Sequence, residues 1–286
     1  MKITDSSAAK VGGVNVATIA SSTASFLQFM CYSAITISRA ISGTIGLVKN
    51  GIGGLTLSGT CNYTGQTIIN QGTLSITGAS VLNGVISGSG SLAKSGSLAI
   101  TLGGDNTYSG GTNYSSSAAA GTITFASGNA FGTGDITCSG PCQIITSSSV
   151  TVPNNFILNS GATIQYRLNT VTTTVTLLGS ISGAGGVNKT ANGILILSGT
   201  LTYTGQTIIT AGTIRASKAT GSSTATASFT TATTLSVSFN VPPDAGTQTF
   251  RFFQGSTSRT YTAVTLVNAP GRTATYDSTT STLTVT

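Results

Sequence analysis

Chemistry in this chain would have to come from few residues. It has no histidine and no glutamate, and its five acids, all Asp, stand against 12 Lys and Arg for a formal net charge of +7. Without histidine, neither a Ser–His–Asp nor a Cys–His relay can be built. Cleavage of a polysaccharide by carboxylates needs a pair held roughly 5–10 Å apart. Asp105 and Asp135 are the only acids that neighbouring turns of the chain could bring together. Both sit in turn-type sequences, GGDNTY and GTGDIT, where Asp is a common turn former. The expectation is no catalytic residue and no enzyme, with a polysaccharide-active enzyme as the remote alternative.

The four cysteines divide into two kinds. Cys138 and Cys142 bracket the tight turn CSGPC and are a candidate disulfide in an oxidising setting. Cys31 and Cys61 read as small buried thiols. A zinc site wants four converging ligands, and with no histidine this chain offers no such set, so neither a metal nor a cofactor is expected. GAGGVNKT (183–190) has the look of a phosphate-binding loop, but Asn188 stands where a glycine belongs. Its Lys189 has counterparts at Lys49 and Lys94, which suggests a stacked, solvated, outward position for all three. Basic residues are scattered with no run of two, unlike a nucleic-acid groove. No nucleic-acid partner is expected; a mildly basic surface instead favours acidic glycans, lipids or proteins. Asn62, Asn113 and Asn188 open Asn-x-Ser/Thr triplets, which matter only in a eukaryotic secretory pathway.

These residues are set in a repeat. The stretch Ile41 to Ile76 returns from Ile86 and again from Ile181, aligned without gaps as far as Tyr63, Tyr108 and Tyr203. YTGQTII is identical at 63–69 and 203–209. Leu55 and Leu57 alternate with Thr56, the period of a half-buried strand. QTIIN (66–70) and GTLSI (72–76) are two more short strands. Glycines between them permit sharp corners. Such a unit cannot bury its inner face alone, whereas stacked units can. The fold class expected is all-β, a solenoid of about eight to ten coils. The inward set includes Leu55, Leu57, Leu102, Leu195 and Leu197. The repeat tyrosines lie 45 and 95 residues apart, too far for a sugar-binding ladder, and read as packed corners. No run approaches the ~20 apolar residues of a spanning helix, so no transmembrane segment is expected.

The run GLVKNGIGGLTLSGTCNYTGQTIINQGTL resembles the passenger-associated repeat of bacterial autotransporters. The Lys, the LTLSG strand, the N-Y-T-G corner and the final GTL all stand at matching places. NAFGTGDIT (129–137) and VTVPNNFILNSGATI (150–164) resemble segments that link such repeats, and YDSTTSTLTV (276–285) their usual end. The resemblance covers most of 33–286. It implies a right-handed parallel β-helix exposed outside a cell, and it carries no active site.

The organisation expected is an N-terminal cap or arm at 1–32, a β-solenoid at 33–218 and a Ser/Thr-rich linker or degenerate coil at 219–234. A C-terminal antiparallel β domain at 235–286 follows, forming a cap or sandwich. Residues 26–32, FLQFMCY, form either a first coil or part of the cap. The start reads poorly as a secretory signal, being broken by Asp5, Lys10 and Asn15. The leading functional expectation is therefore a structural protein of a virus or phage particle, a capsid decoration, fibre or tail component, which needs neither signal nor membrane barrel. The alternative is a fragment of a secreted or cell-surface autotransporter passenger acting as an adhesin. Either way the partners expected are other protein chains of a large assembly, homo-oligomeric or capsid and fibre partners, or a glycan or cell-surface ligand. Phe252 and Phe253 fall on opposite faces of one strand, so one of them, with Arg251 and Arg259, is a candidate partner contact.

Overall fold

The computed structural model describes residues 2–4, 18–21, 26–115, 121–220, 223–230, 234–239, 248–251, 263–267, 269–277, 279 and 282–286. Every regular element among them is a β-strand. The chain forms two compact units, residues 1–144 and 145–286.

In the first unit, three parallel sheets are built by strands that return once per coil. One sheet stacks Lys2–Thr4, Phe26–Met30, Gly46–Asn50, Thr67–Ile69 and Ile86–Ser87. A second stacks Ile35–Ile37, Leu55–Leu57, Thr73–Ile76, Ser91–Ser95, Thr112–Ser115 and Ile136–Cys138. The third stacks Thr18–Ser21, Ala40–Gly43, Cys61–Tyr63, Ser80–Leu82, Ile100–Leu102 and Thr122–Phe125. Strands of one coil share no sheet with each other; each pairs only with its counterparts in the coils above and below. This is a stacked parallel β-solenoid. Alternation decides what fills it: Leu55, Leu57, Leu74, Ile76, Leu92, Ile100 and Leu102 are fully buried, and the residues between them face out.

Phe26–Met30 is a coil strand, paired in parallel with Gly46–Asn50. Lys2–Thr4 extends the first sheet and Thr18–Ser21 the third, so coil pairing starts ahead of residue 33. The first sheet has no strand over 104–110. There the buried Asn106 side chain takes over, accepting from the Ile86 amide at 2.8 Å and donating to the Ala130 carbonyl at 2.6 Å, across three coils. The corners need glycine. At Gly65, a Cβ would stand 2.4 Å from the Ile45 carbonyl oxygen of the coil beneath.

The second unit continues the pattern with its own stacks: Val150–Val152, Thr174–Leu177, Ile194–Leu197 and Thr213–Thr220, and Thr163–Leu168, Gly186–Thr190 and Thr207–Ile209. The described residues of 219–234 extend the first of these stacks by antiparallel pairing. Thr213–Thr220 pairs antiparallel with Ser223–Thr230, which pairs antiparallel with Thr234–Phe239. The strands of the expected C-terminal antiparallel domain divide between two sheets. Thr234–Phe239 and Ala263–Val267 pair in parallel within the stack's own sheet. Gln248–Arg251, Thr282–Val285 and Ala274–Asp277 form a small antiparallel sheet, in that spatial order. Leu283 and Val285 of this sheet are buried.

Candidate functional site

The two acids that coils could have paired stand at corners of different sheets. Asp105 follows strand Ile100–Leu102 at the exit of the third sheet, where its carboxylate accepts from the Ser127 hydroxyl of the next coil. Asp135 precedes strand Ile136–Cys138 at the entrance of the second sheet, where its carbonyl accepts from the Thr112 amide at 2.9 Å. Both serve corners. Among the described residues, no group of three or more His, Cys, Asp or Glu could hold a metal ion.

The repeat lysines overturn the expectation of a solvated outer position. Lys49, Lys94 and Lys189 have no exposed surface at all. The reason is the alternation itself. Leu47, Leu92 and Val187 point inward, and the lysines two residues on share that face. Each ammonium is held by carbonyls rather than by a carboxylate. Lys49 Nζ donates to the carbonyls of Asn50 (3.3 Å), Gly51 (2.7 Å) and, one coil on, Gln71 (2.9 Å). Three N–H donors thus meet three acceptors, which offsets the cost of burying the charge. Lys94 donates to Ser95 and Gly96 at 2.9 and 3.1 Å. Lys189 donates to Thr190 and Ala191 at 2.9 and 2.7 Å, and reaches Ala211 of the next coil at 3.5 Å.

The second residue after each lysine, Gly51, Gly96 or Ala191, has φ of 81°, 78° or 62°. That left-handed turn aims its carbonyl at the ammonium. Burial lowers all three lysines from their ordinary range, Lys189 to about 8. A site that presents carbonyls accepts hydrogen bonds and offers nothing to a phosphate, so the lysine of GAGGVNKT is a structural clip.

Tyr63, Tyr108 and Tyr203 are corner residues, as their sequence setting suggests. All three are buried. Each phenol meets the hydroxyl of the threonine four residues on: Tyr63 with Thr67 at 2.8 Å, Tyr108 with Thr112 at 2.6 Å and Tyr203 with Thr207 at 2.7 Å. Desolvation raises all three phenols well above their ordinary range. In the first unit the two tyrosines are not even on equivalent corners. Tyr63 closes the third sheet, whereas Tyr108 leads into the second. They form no ladder for a sugar.

Cys138 and Cys142 are both buried in the coil interior, and their thiols interact. Cys31 and Cys61 are also buried, and all four are thiols in this structure. Of the candidate partner contacts, Phe252, Phe253 and Arg259 lie outside the described residues, and Arg251 ends the strand Gln248–Arg251.

Much of what the first unit's sheets turn outward bears hydroxyl and amide groups, with Arg39, Asp105 and Asp135 as exposed charges at its corners. On its second sheet, pairing aligns Thr36, Thr56, Ser75, Ala93, Asn113 and Thr137 in one column across six coils. On the third, Ser42 aligns with Asn62, and Val81 with Thr101 and Thr124. Tyr32 and Ile52, 66% and 80% exposed, stand on successive coils at the corner between the first and second sheets. With three lysines inside, the outer surface is less basic than the composition implied.

Three segments, residues 47–76, 92–113 and 187–216, match the family model described as Passenger-associated-transport-repeat. They contain the three buried lysines and most of the corners just described. The chain thus carries the autotransporter passenger β-helix repeat, and the passenger reading stands nearer to this finding than the particle reading does. No curated protein and no solved structure matches the chain. No helix among the described residues is long and apolar enough to cross a membrane.

Proposed function

We propose that this chain is the β-solenoid of a bacterial autotransporter-type passenger. It is secreted or displayed at the cell surface and acts as a non-enzymatic adhesive scaffold. The observation that supports this most strongly is the passenger repeat itself, matched in three segments and folded as stacked coils. The side chains that could carry chemistry support the non-enzymatic part. The repeat lysines clip coils, the repeat tyrosines close corners, and the Asp105 carboxylate accepts from Ser127 of the next coil. What is left for a partner is the column from Thr36 to Thr137 and the Tyr32–Ile52 corner. Hydroxyl and amide groups at a regular ~4.8 Å spacing suit a repetitive ligand such as a glycan.

The test compares cells that produce the chain with cells that lack it, on immobilised glycan and protein layers. The proposal expects greater retention of the producing cells. It also expects the gain to fall when Thr56 and Asn113 are both changed to Asp, and to persist with Asp105→Asn and Asp135→Asn. Equal retention with and without the chain would overturn the adhesive role. Glycan turnover abolished by Asp105→Asn would show an enzyme instead.

A further inference from the structure

Four corners of the chain share one spacing. Tyr63-Thr-Gly-Gln-Thr67, Tyr108-Ser-Gly-Gly-Thr112 and Tyr203-Thr-Gly-Gln-Thr207 each place two inward side chains four residues apart. Cys138-Ser-Gly-Pro-Cys142 has the same form, with cysteine at both inward positions. The backbone agrees. The amide after each first residue donates to the coil beneath: Thr64 to Gly43 at 2.9 Å, Ser109 to Gly88 at 3.0 Å and Thr204 to Gly183 at 2.8 Å. Ser139 does the same to Tyr114 at 2.9 Å. In three corners the inward pair is closed by a hydroxyl–hydroxyl hydrogen bond. In the fourth, the two thiols are in hydrogen-bond contact with each other.

We propose that the Cys138–Cys142 corner is an oxidative modification site, closed by a disulfide that replaces the tyrosine–threonine hydrogen bond of the other corners. Both thiols lose their protons and one electron each, and the S–S bond forms. The electron pair passes to a disulfide-class oxidant, whose own S–S bond opens to two thiols through a mixed-disulfide intermediate. Losing the thiol protons leaves nothing stranded. Cys142 Sγ donates to the Tyr114 carbonyl at 3.2 Å, but that carbonyl keeps the Ser139 amide.

Burial sets when the bond forms. Cys138 has no exposed surface and Cys142 has 1%, and the hydrogen bond with Cys142, together with burial, pushes the Cys138 thiol up. A thiol so placed is a poor nucleophile and out of an oxidant's reach. Exchange therefore belongs to the unfolded chain, and the folded corner protects the bond afterwards. The proposed location outside the cytoplasm would supply the oxidising setting, but the corner geometry does not depend on it.

The test uses purified full chain, reduced in denaturant and refolded with a mixture of reduced and oxidised glutathione. It is then denatured again without reductant and alkylated. The expected result is label on Cys31 and Cys61 only, with a peptide lacking two hydrogens across Cys138–Cys142. Label on all four cysteines, or a link that involves Cys31 or Cys61, overturns the proposal. A second readout is the urea midpoint of the oxidised chain with and without reductant. It should fall with reductant in the wild type and stay fixed when Cys138→Ala and Cys142→Ala are combined. An unchanged wild-type midpoint would count against a bond that closes the corner. Because the chain is refolded in vitro, these results stand apart from whether it reaches a cell surface.

Discussion

At the scale of single residues, the most consequential are the buried lysines. An ammonium with no carboxylate nearby is stabilised here by backbone carbonyls of its own corner and of the next coil. The protonated form still suffers from burial, which takes Lys189 from 10.5 to about 8. A group whose folded pKa lies below its unfolded value binds fewer protons when folded, so stability rises with pH through that window. Between about pH 8 and 10.5 the wild type should therefore gain stability relative to Lys189→Met. Urea midpoints of the two proteins across that range check this. The comparison matters because buried cysteines and tyrosines with raised pKa values push the other way at high pH. A constant gap between the two proteins would show that the lysine is not titrating in the interior.

Ala191 carries a second test. It holds φ of 62°, where its counterparts Gly51 and Gly96 are glycines. A Cβ in that conformation costs about 1–2 kcal/mol, so Ala191→Gly should be neutral to stabilising in spite of glycine's entropy. Gly51→Ala should be strongly destabilising, because its Cβ would stand 2.2 Å from the Cys31 carbonyl oxygen. Thermal melts of the two variants are expected to move in opposite directions, or the first not at all.

At the scale of elements, the strands are short and their alternation carries the core. Leu57→Ala removes a fully buried side chain and should cost about 2–5 kcal/mol. Thr56→Ala, on the outward face of the same strand, should cost less than about 0.5 kcal/mol. Chemical denaturation measures both, and equal losses would contradict the inward–outward assignment. Strand positions, glycine corners and the inward leucines were legible because period-2 alternation and turn chemistry act locally.

The lysines could have been assigned by the same rule, since Leu47-Val48-Lys49 already alternates. The charge of the residue argued for solvent, and the carbonyls that receive it come from a left-handed turn and a neighbouring coil that the local sequence does not display. The relation between repeat and coil was also hidden. The first copy begins on strand Ala40–Gly43 of the third sheet, and the second on Ile86–Ser87 of the first sheet. A copy is thus free to start on either side of the coil, because the sides are nearly equivalent in length and corner chemistry. Sequence spacing alone therefore could not say which residues stack. The antiparallel pairing of Thr213–Thr220 with Ser223–Thr230 was likewise hidden by a Ser/Thr-rich composition that reads as linker.

At the scale of the whole molecule, stability is spread over repeated local contacts, each coil resting on its neighbours. Such a scaffold needs no active site to be useful: it holds a hydroxyl-rich surface in a fixed array. The passenger repeat places that surface, on our proposal, outside the cell that makes it. The most direct measurement is exposure on intact bacteria producing the protein. Antibodies raised against the folded chain should label unpermeabilised cells, and protease added outside should remove the label while a cytoplasmic marker stays intact. Label that appears only after the cells are opened, and that survives external protease, would contradict the account.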